Sequence, residues 1–311
     1  MRQRNAPFGR TLCAMVTPFT SAGTLDVDGA ARLATRLVAG GCDGLVLNGT
    51  TGESPTTTDA EKRELIAAVR SAVGDGVPLV AGVGTADTRH TVELTLAAEK
   101  AGADAALVIA PYYSRPQQAA VEAHFRTVAD AAGIPLMLYD IPGRTGTRIT
   151  PETMIRLADH PRVVAVKDCS YDFLGTQKVL AATDLAYYAG CDEHILALYA
   201  IGAAGCVSTI ANAVPEQVAA VLTAFDAGDT ALAAELQSRL IPLTEAMMAS
   251  DLPGTTTTKA LLNTLTLPAG PVRPPLLAAD DRTTTELLAR YDALVRMRPS
   301  PCDGPGRASG I

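Results

Sequence analysis

Several residue types that build specialised sites are scarce in this chain. Tryptophan is absent from the 311 residues, and histidine occurs only four times, at isolated positions that suggest no metal site. The cysteines fall at irregular spacings without a Cys-x-x-Cys pair, so neither a zinc site nor a disulfide framework is indicated. We interpret most of them as small buried hydrophobes. They are Cys13, Cys42, Cys169, Cys191, Cys206 and Cys302.

Positive charge and long apolar runs are lacking as well. The net charge of −7 argues against nucleic acid or an anionic membrane as the principal partner, because few contacts could release counterions. The apolar runs stop well short of the about 20 residues that a membrane-spanning helix needs. No apolar segment of signal-peptide type follows residues 1–5. We therefore expect a cytoplasmic protein that acts on small molecules.

Short apolar runs alternate with amphipathic segments along most of the chain. Apolar residues make up 48% of it, which is ample for a large core. Eight runs have the length and composition of buried strands: 12–16, 44–47, 79–83, 105–109, 136–139, 163–166, 185–189 and 205–207. The segments between them carry helix signals. Asp28 precedes a helix over 30–39, Asp59 one over 60–73, and Thr88 one over 90–101.

This alternation predicts a parallel sheet with right-handed crossovers. Eight units favour a closed (β/α)8 TIM barrel over a doubly wound sheet. Helices without intervening strands follow over 215–225, 230–248, 256–265 and 283–297. We predict an N-terminal lead (1–10), the barrel (11–224), a C-terminal helical extension (225–297) and a disordered tail rich in Pro, Gly and Ser (298–311).

Lys167 is the strongest candidate for chemistry. It follows the apolar residues 163–166, so the predicted strand delivers an amine to an end that should be dry. Burial disfavours the ammonium form, and a lysine whose pKa falls to about 7–8 can attack a carbonyl at neutral pH. The competing interpretation is a strand-end lysine that extends its ammonium into solvent.

Other predicted strand ends also carry polar groups, and in a barrel these ends surround one site. Residues 48–54 (Asn-Gly-Thr-Thr-Gly-Glu-Ser) could hold a carboxylate, or could simply form a turn that caps the next helix. Tyr112 and Tyr113 follow the fourth strand, and the fifth ends at Tyr139 and leads to Arg144. Such groups at neighbouring strand ends predict an active site.

These segments resemble the signatures of the dihydrodipicolinate synthase / N-acetylneuraminate lyase family. The resemblance rests on Gly-Thr-Thr-Gly-Glu-Ser at 49–54, Pro-Tyr-Tyr at 111–113, Tyr-Asp-Ile-Pro-Gly-Arg-Thr at 139–145 and Val-Lys-Asp at 166–168. Similarity runs in order from residue 16 to about residue 212. The 49–54 segment and Arg144 resemble the synthase branch more than the sugar-acid lyases.

The resemblance implies a lysine Schiff-base enzyme that condenses pyruvate with aspartate 4-semialdehyde to 4-hydroxy-tetrahydrodipicolinate. Lys167 would form the imine, Tyr139 would act as acid and base beside it, and Thr50 and Tyr113 would complete a hydroxyl relay to solvent. No metal or organic cofactor is implied, because the protonated imine is itself the electron sink. The family's equivalent of Tyr113 comes from a neighbouring subunit, which implies a homotetramer built from two tight dimers.

The resemblance also implies the residues that bind substrate. Thr51 and the amides of its loop, including Gly49, would hold the pyruvate carboxylate. Arg144 would hold the carboxylate of the second substrate, a task that suits its planar fork. Gly190 and the carbonyl of Val207 would line the floor of the pocket.

Some positions depart from the family pattern. Ala-Gly-Cys-Asp at 189–192 and Asp-Leu-Pro-Gly at 251–254 differ from the usual segments. Among positions that bind lysine in feedback-regulated relatives, Ser54 and Tyr112 match. We predict weak or absent inhibition by lysine, because the others differ: Asp59, Lys62, Ala86 and His90.

Two alternatives stay open. The chain could be a pyruvate-dependent lyase or aldolase of the same family that acts on a 2-keto-3-deoxy sugar acid or another keto acid. It could also be a non-catalytic relative that serves as a scaffold or regulator, which the presence of Lys167, Tyr139, Thr50 and Tyr113 disfavours.

Overall fold

A closed barrel of eight parallel strands forms the centre of the computed structural model, which describes residues 5–248 and 251–296. Each strand is hydrogen-bonded to the next along the chain, and the eighth is hydrogen-bonded to the first. The predicted (β/α)8 barrel is confirmed. The strands are β1 (Thr11–Ala14), β2 (Gly44–Leu47), β3 (Leu79–Gly82), β4 (Ala105–Ile109), β5 (Leu136–Asp140), β6 (Val163–Asp168), β7 (Ala186–Ala189) and β8 (Gly205–Ser208).

Helices alternate with these strands and continue beyond the last one. Three of them, α10 to α12, follow the barrel and lie where the sequence predicts helices without strands. The helices are α1 (Val27–Ala39), α2 (Asp59–Val73), α3 (Thr88–Lys100), α4 (Gln118–Ala131), α5 (Pro142–Thr145), α6 (Pro151–Leu157), α7 (Phe173–Ala182), α8 (Ile195–Ala200), α9 (Pro215–Asp226), α10 (Thr230–Met248), α11 (Gly254–Thr264) and α12 (Asp281–Arg296).

The N-caps of the first three helices differ from the predicted residues. The caps are Asp26, Thr58 and Asp87 rather than Asp28, Asp59 and Thr88. Thr58 forms a capping box in which its hydroxyl accepts from the backbone N–H of Glu61 while the Glu61 carboxylate accepts from the backbone N–H of Thr58. Adjacent short polar residues can each cap a helix, and the backbone conformation decides which of them does.

Two apolar layers stabilise the barrel. The outer layer lies between strands and helices, and the inner layer fills the barrel with residues such as Leu12, Met137 and Tyr188. Register pairs Tyr139 of β5 with Lys167 of β6, and Lys167 with Tyr188 of β7. Because Tyr139 and Tyr188 belong to the inner layer, Lys167 between them points into the barrel near the carboxyl ends of the strands.

The C-terminal helices pack against the rest of the chain mainly through α10, which contacts α8 and α9, while α12 packs on α10 and α11. Helix α11 buries Lys259, which is 1% exposed. The disordered tail predicted for residues 298–311 lies outside the described residues. Within the part of the chain that the structure describes, none of the helices has the length and hydropathy needed to cross a membrane.

Candidate active site

Lys167 is buried at the end of β6 and is 4% exposed. Its Nζ lies 4.4 Å from the centre of the Tyr139 ring. Removal from water lowers the pKa of the Lys167 amine, and the acidic groups around it, Cys169 first among them, oppose that change only in part. The residue therefore does not extend its ammonium into solvent, as the competing interpretation of the sequence required.

Tyr139 lies on the neighbouring strand in register with Lys167 and is 4% exposed. Burial raises the pKa of its phenol well above the usual range, while a hydrogen bond with Thr50 and the charge of Arg144 act in the opposite direction. The phenol is thus protonated at neutral pH and is hydrogen-bonded to a hydroxyl from the loop after β2. A protonated phenol beside an amine with a lowered pKa can pass a proton to and from a reacting carbonyl.

A cavity of about 690 Å³ opens over these side chains at the carboxyl end of the barrel. Its lining combines the ends of β2, β5, β6 and β7 with residues of α10 and α11, so the C-terminal extension forms one wall. Six of the residues predicted from the sequence line it: Thr50, Thr51, Tyr139, Arg144, Lys167 and Gly190. This volume lies within the range of about 300–1,000 Å³ that is usual for small-molecule sites.

The other three predicted residues lie elsewhere. Gly49 lines a second cavity of about 360 Å³ on the far side of Thr50 and Tyr139. Val207 is fully buried in the inner layer of the barrel below the cavity. Tyr113 is 94% exposed, and its φ of 71° is in the left-handed region that a bulky residue rarely adopts. An exposed tyrosine held in such a conformation is a candidate for contact with another molecule.

Gly190 leaves room for Lys167. A Cβ at position 190 would lie 2.4 Å from Cys169 Sγ, 3.0 Å from the Asp168 carbonyl oxygen and 3.1 Å from Lys167 Cε. The backbone N–H of Gly190 also donates to the Asp168 carbonyl at 2.8 Å. Glycine at this position therefore lets the end of β7 lie directly against the lysine side chain.

A buried ion pair supports the Thr50–Thr51 loop from below. Glu53, which has a φ of 56° and is 2% exposed, lies 2.6 Å from Lys259 Nζ through its Oε1. Its Oε2 accepts from the backbone N–H of Arg273 at 2.9 Å. The Thr255 hydroxyl donates to the Thr50 carbonyl at 3.3 Å. Contacts from the C-terminal extension thus hold this loop in place.

Sequence reasoning missed several groups in the cavity. Cys169, Tyr171, Cys191 and Glu193 all line it. Asp192, behind the floor, is 2% exposed and accepts from Ser208 Oγ at 2.5 Å; burial raises its pKa to about 6. Their nearness in sequence to predicted site residues could have indicated them. Each lies within four positions of Lys167 or three positions of Gly190.

The second cavity brings together most positions of the lysine-regulation prediction. Ser54, Asp59, Lys62, His90 and Tyr112 line it. His90 Nε2 and Asp59 Oδ2 are 2.9 Å apart, and Lys62 Nζ donates to the Thr57 carbonyl. Weak or absent inhibition by lysine stays a prediction.

A metal centre is not found in the described ranges, which hold no cluster of three or more His, Cys, Asp or Glu side chains arranged to bind an ion.

The class defined by this fold and site is a (β/α)8 barrel with a buried lysine at the end of its sixth strand, beside a cavity. The chain belongs to the dihydrodipicolinate synthetase family, whose model matches residues 7–293.

Individual relatives agree with this membership. The chain is 74% identical to 4-hydroxy-tetrahydrodipicolinate synthase 1 of Streptomyces coelicolor over 93% of its own length and 95% of that protein. It is 57% identical to the 4-hydroxy-tetrahydrodipicolinate synthase of Acidothermus cellulolyticus over 92% of this chain and 91% of that protein. The crystal structure of the Cyanidioschyzon merolae enzyme with lysine bound superposes with a TM-score of 0.90 at 36% identity, covering 94% of this chain and 100% of that one.

Proposed function

We propose that the chain is a 4-hydroxy-tetrahydrodipicolinate synthase that condenses pyruvate with L-aspartate 4-semialdehyde through an imine on Lys167. The observation that carries this proposal is the buried Lys167 amine, 4.4 Å from the Tyr139 ring and open to a cavity. The identity of 74% to a synthase supports the choice of reaction. The reaction belongs to lysine and diaminopimelate biosynthesis.

The chemistry starts with the neutral amine of Lys167. It attacks C2 of pyruvate, and loss of water leaves a protonated imine. The imine withdraws electrons, so a proton leaves C3 and an enamine forms. C3 of the enamine attacks the aldehyde carbon of the second substrate. The amino group of that substrate then displaces Lys167, which closes the ring and frees the enzyme.

Proton transfer in these steps falls to the hydroxyl groups around the imine. Tyr139 supplies a proton to the departing oxygen of pyruvate and recovers it later, since its raised pKa keeps the phenol protonated. Thr50 is hydrogen-bonded to Tyr139 and connects it toward Tyr113 and solvent. These groups and Lys167 are the proposed catalytic residues.

The substrates are held by their carboxylates. Thr51 and the amides of its loop, with Gly49 at its start, bind the carboxylate of pyruvate. Arg144 is exposed at the rim of the cavity, where its guanidinium can bind the carboxylate of the incoming aldehyde in two parallel hydrogen bonds. Gly190 and the Val207 carbonyl form the floor below the imine. No metal or organic cofactor takes part in the proposed reaction.

The assembly proposed is a homotetramer made of two tight dimers. Tyr113 of one protomer reaches the Thr50–Tyr139 pair of its partner, which accounts for an exposure of 94% in the single chain. One neighbour, described as the first monomeric dihydrodipicolinate synthase variant, is 30% identical, so assembly must be measured for this chain.

A substrate panel tests the activity. Purified protein is incubated with pyruvate and L-aspartate 4-semialdehyde, and in parallel with 2-keto-3-deoxy sugar acids, and products are identified by mass. We expect the cyclic condensation product and no cleavage of the sugar acids. Turnover of a sugar acid without condensation would assign the chain to the family's lyases. A folded protein without turnover of any substrate would favour the scaffold interpretation.

A further inference from the structure

Two cysteines meet in the wall of the Lys167 cavity. Cys169 comes two residues after Lys167 at the end of β6, and Cys191 follows Gly190 at the end of β7. Both line the cavity, Cys169 at 8% exposure and Cys191 half-buried. The two thiols lie close enough that each shifts the pKa of the other. The proposed condensation uses neither thiol.

The strand register brings these cysteines within reach of a covalent bond. Asp168 of β6 pairs with Ala189 of β7, and the Gly190 N–H donates to the Asp168 carbonyl at 2.8 Å. Neighbouring strands lie about 4.8 Å apart. This register places Cys169 beside Gly190, and Cys191, whose backbone is extended, comes one residue later. An offset of one residue adds about 3.3 Å along the strand, so the two Cα atoms fall about 5.8 Å apart, within the about 4.4–6.8 Å that disulfides adopt.

The two thiols differ in reactivity. Cys169 lowers the pKa of the Cys191 thiol, burial opposes this change, and the nearby Tyr171 hydroxyl lowers the pKa further. The pKa of Cys169 is raised, first by its hydrogen bond with Cys191 and then by burial. Because its pKa is the lower of the two and it is the more accessible, Cys191 is the better nucleophile of the pair.

We propose that Cys169 and Cys191 are an oxidation site at which a hydroperoxide forms a reversible disulfide that closes the Lys167 cavity. The Cys191 thiolate attacks the peroxide oxygen, the O–O bond breaks, and a sulfenic acid and, after protonation, one water form. Cys169 then attacks the Cys191 sulfur, the S–O bond breaks, and a second water leaves. The two sulfurs together lose two electrons, which the peroxide gains.

The effect on activity follows from the position of Gly190 and rests on the proposed function. Its backbone already lies so close that a Cβ there would be 3.1 Å from Lys167 Cε. A disulfide between Cys169 and Cys191 ties the residue after Gly190 to the end of β6. The Gly190 peptide is then held against the Lys167 side chain. The oxidised protein therefore loses condensation activity.

The chain contains a matched internal control. Cys13 and Cys42 are a second pair of neighbouring thiols, but they are 0% and 3% exposed and pack between the barrel and its helices. Because peroxide reaches thiols through solvent, this pair should stay reduced under conditions that oxidise Cys169 and Cys191. Cys302 lies outside the described residues, so all test proteins carry Cys302→Ser.

The experiment treats the full-length protein with hydrogen peroxide and follows both activity and non-reducing peptide maps. We expect a link between tryptic peptides 168–178 and 179–239, loss of most activity, and recovery of both by dithiothreitol. The second peptide also contains Cys206, so Cys191→Ser decides the partner. Cys169→Ser and Cys191→Ser should each abolish the link and retain a larger fraction of their own starting activity after peroxide.

Three results would overturn the proposal. The link could persist in Cys191→Ser, the Cys13–Cys42 pair could oxidise first, or peroxide could give only higher oxyacids without a link. A complete link with unchanged activity would refute the closure of the cavity. The peptide map needs no substrate, so failure of the proposed condensation would leave the disulfide test readable on its own.

Discussion

The reactivity of Lys167 depends on side chains that are small or missing around it. Gly190 is the clearest case, because an added methyl group would meet Cys169 Sγ at 2.4 Å and Lys167 Cε at 3.1 Å. We expect Gly190→Ala to displace the lysine and to lower kcat/KM by about 10²-fold, the usual cost of a misplaced reacting group. Steady-state kinetics with pyruvate and aspartate 4-semialdehyde measure this loss of kcat/KM.

Gly76→Ala is the matched control for this substitution, since a Cβ at position 76 meets nothing within 4 Å. It should keep full activity. Normal kinetics in Gly190→Ala would show that the close approach of β7 to the lysine is not required.

At the scale of elements, the buried Glu53–Lys259 pair joins α11 to the loop that carries Thr50 and Thr51. The two side chains are 1% and 2% exposed and lie 2.6 Å apart. Lys259→Met should destabilise the protein by about 3–5 kcal/mol, because it leaves the Glu53 carboxylate buried without a cation. Urea denaturation at fixed protein concentration measures this loss.

The double variant Glu53→Gln/Lys259→Met separates the missing partner from the lost packing. It should be more stable than Lys259→Met alone, because no uncompensated charge remains buried. Equal stability of the single and double variants would mean that the charge of Glu53 is not what the lysine compensates.

The end of β5 gives the protein a pH-dependent contribution to stability. Asp140 is fully buried, and burial, with the charge of Asp168 adding to it, raises its pKa to about 7. In an unfolded chain the same carboxyl has a pKa of about 3.9. Between these values the folded state binds more protons, so the free energy of unfolding contributed by this group falls as pH rises from about 4 to 7.

Asp140→Asn tests this contribution and keeps an oxygen that can accept from the Ile149 N–H, now 3.0 Å from Asp140 Oδ1. Between pH 5 and pH 7, the wild type should lose more stability than the variant. Urea denaturation at both pH values gives the comparison. The same change with pH in both proteins would assign the dependence to other groups.

Sequence patterns predicted where the strands lie, but they did not predict the contacts between elements that are distant in sequence. Each strand is a short apolar run buried on both faces, so its pattern is visible locally. The short helix α5 follows β5 after a single residue and was not predicted, because four residues show no helical periodicity. The Glu53–Lys259 pair depends on how the extension packs on the barrel, which no local pattern encodes.

The site shows the same division. Lys167 and Tyr139 could be predicted because both stand at strand ends, and the structure places them in register. Most of the cysteines were interpreted as small buried hydrophobes, and the proximity of Cys169 and Cys191 was not predicted, since cysteines at irregular spacings give no signal until the strands are paired. Their proximity at the ends of β6 and β7 follows from the register of the closed sheet.

For the whole molecule, Tyr113 tests whether the site is shared between protomers. Tyr113→Phe and Lys167→Ala should each be nearly inactive alone. If the tyrosine acts on the partner's site, a mixed dimer has one site with both groups intact. Random reassociation of equal amounts should then restore about a quarter of the wild-type activity.

The two variants are mixed in denaturant and reassembled, and the condensation of pyruvate with aspartate 4-semialdehyde is then assayed to measure this complementation. Each variant reassembled alone is the control. An inactive mixture that nevertheless contains mixed dimers would place Tyr113 in its own protomer's site, and full activity of Tyr113→Phe alone would place it outside the reaction.

The central claim is that the Lys167 amine bonds to the substrate carbonyl, and reductive trapping tests it most directly. The protein is treated with pyruvate and sodium borohydride, digested and mapped by mass spectrometry. We predict one reduced pyruvate adduct per chain, located on Lys167 and lost in Lys167→Ala. An adduct on a different lysine, or none in folded protein that binds pyruvate, would contradict the account.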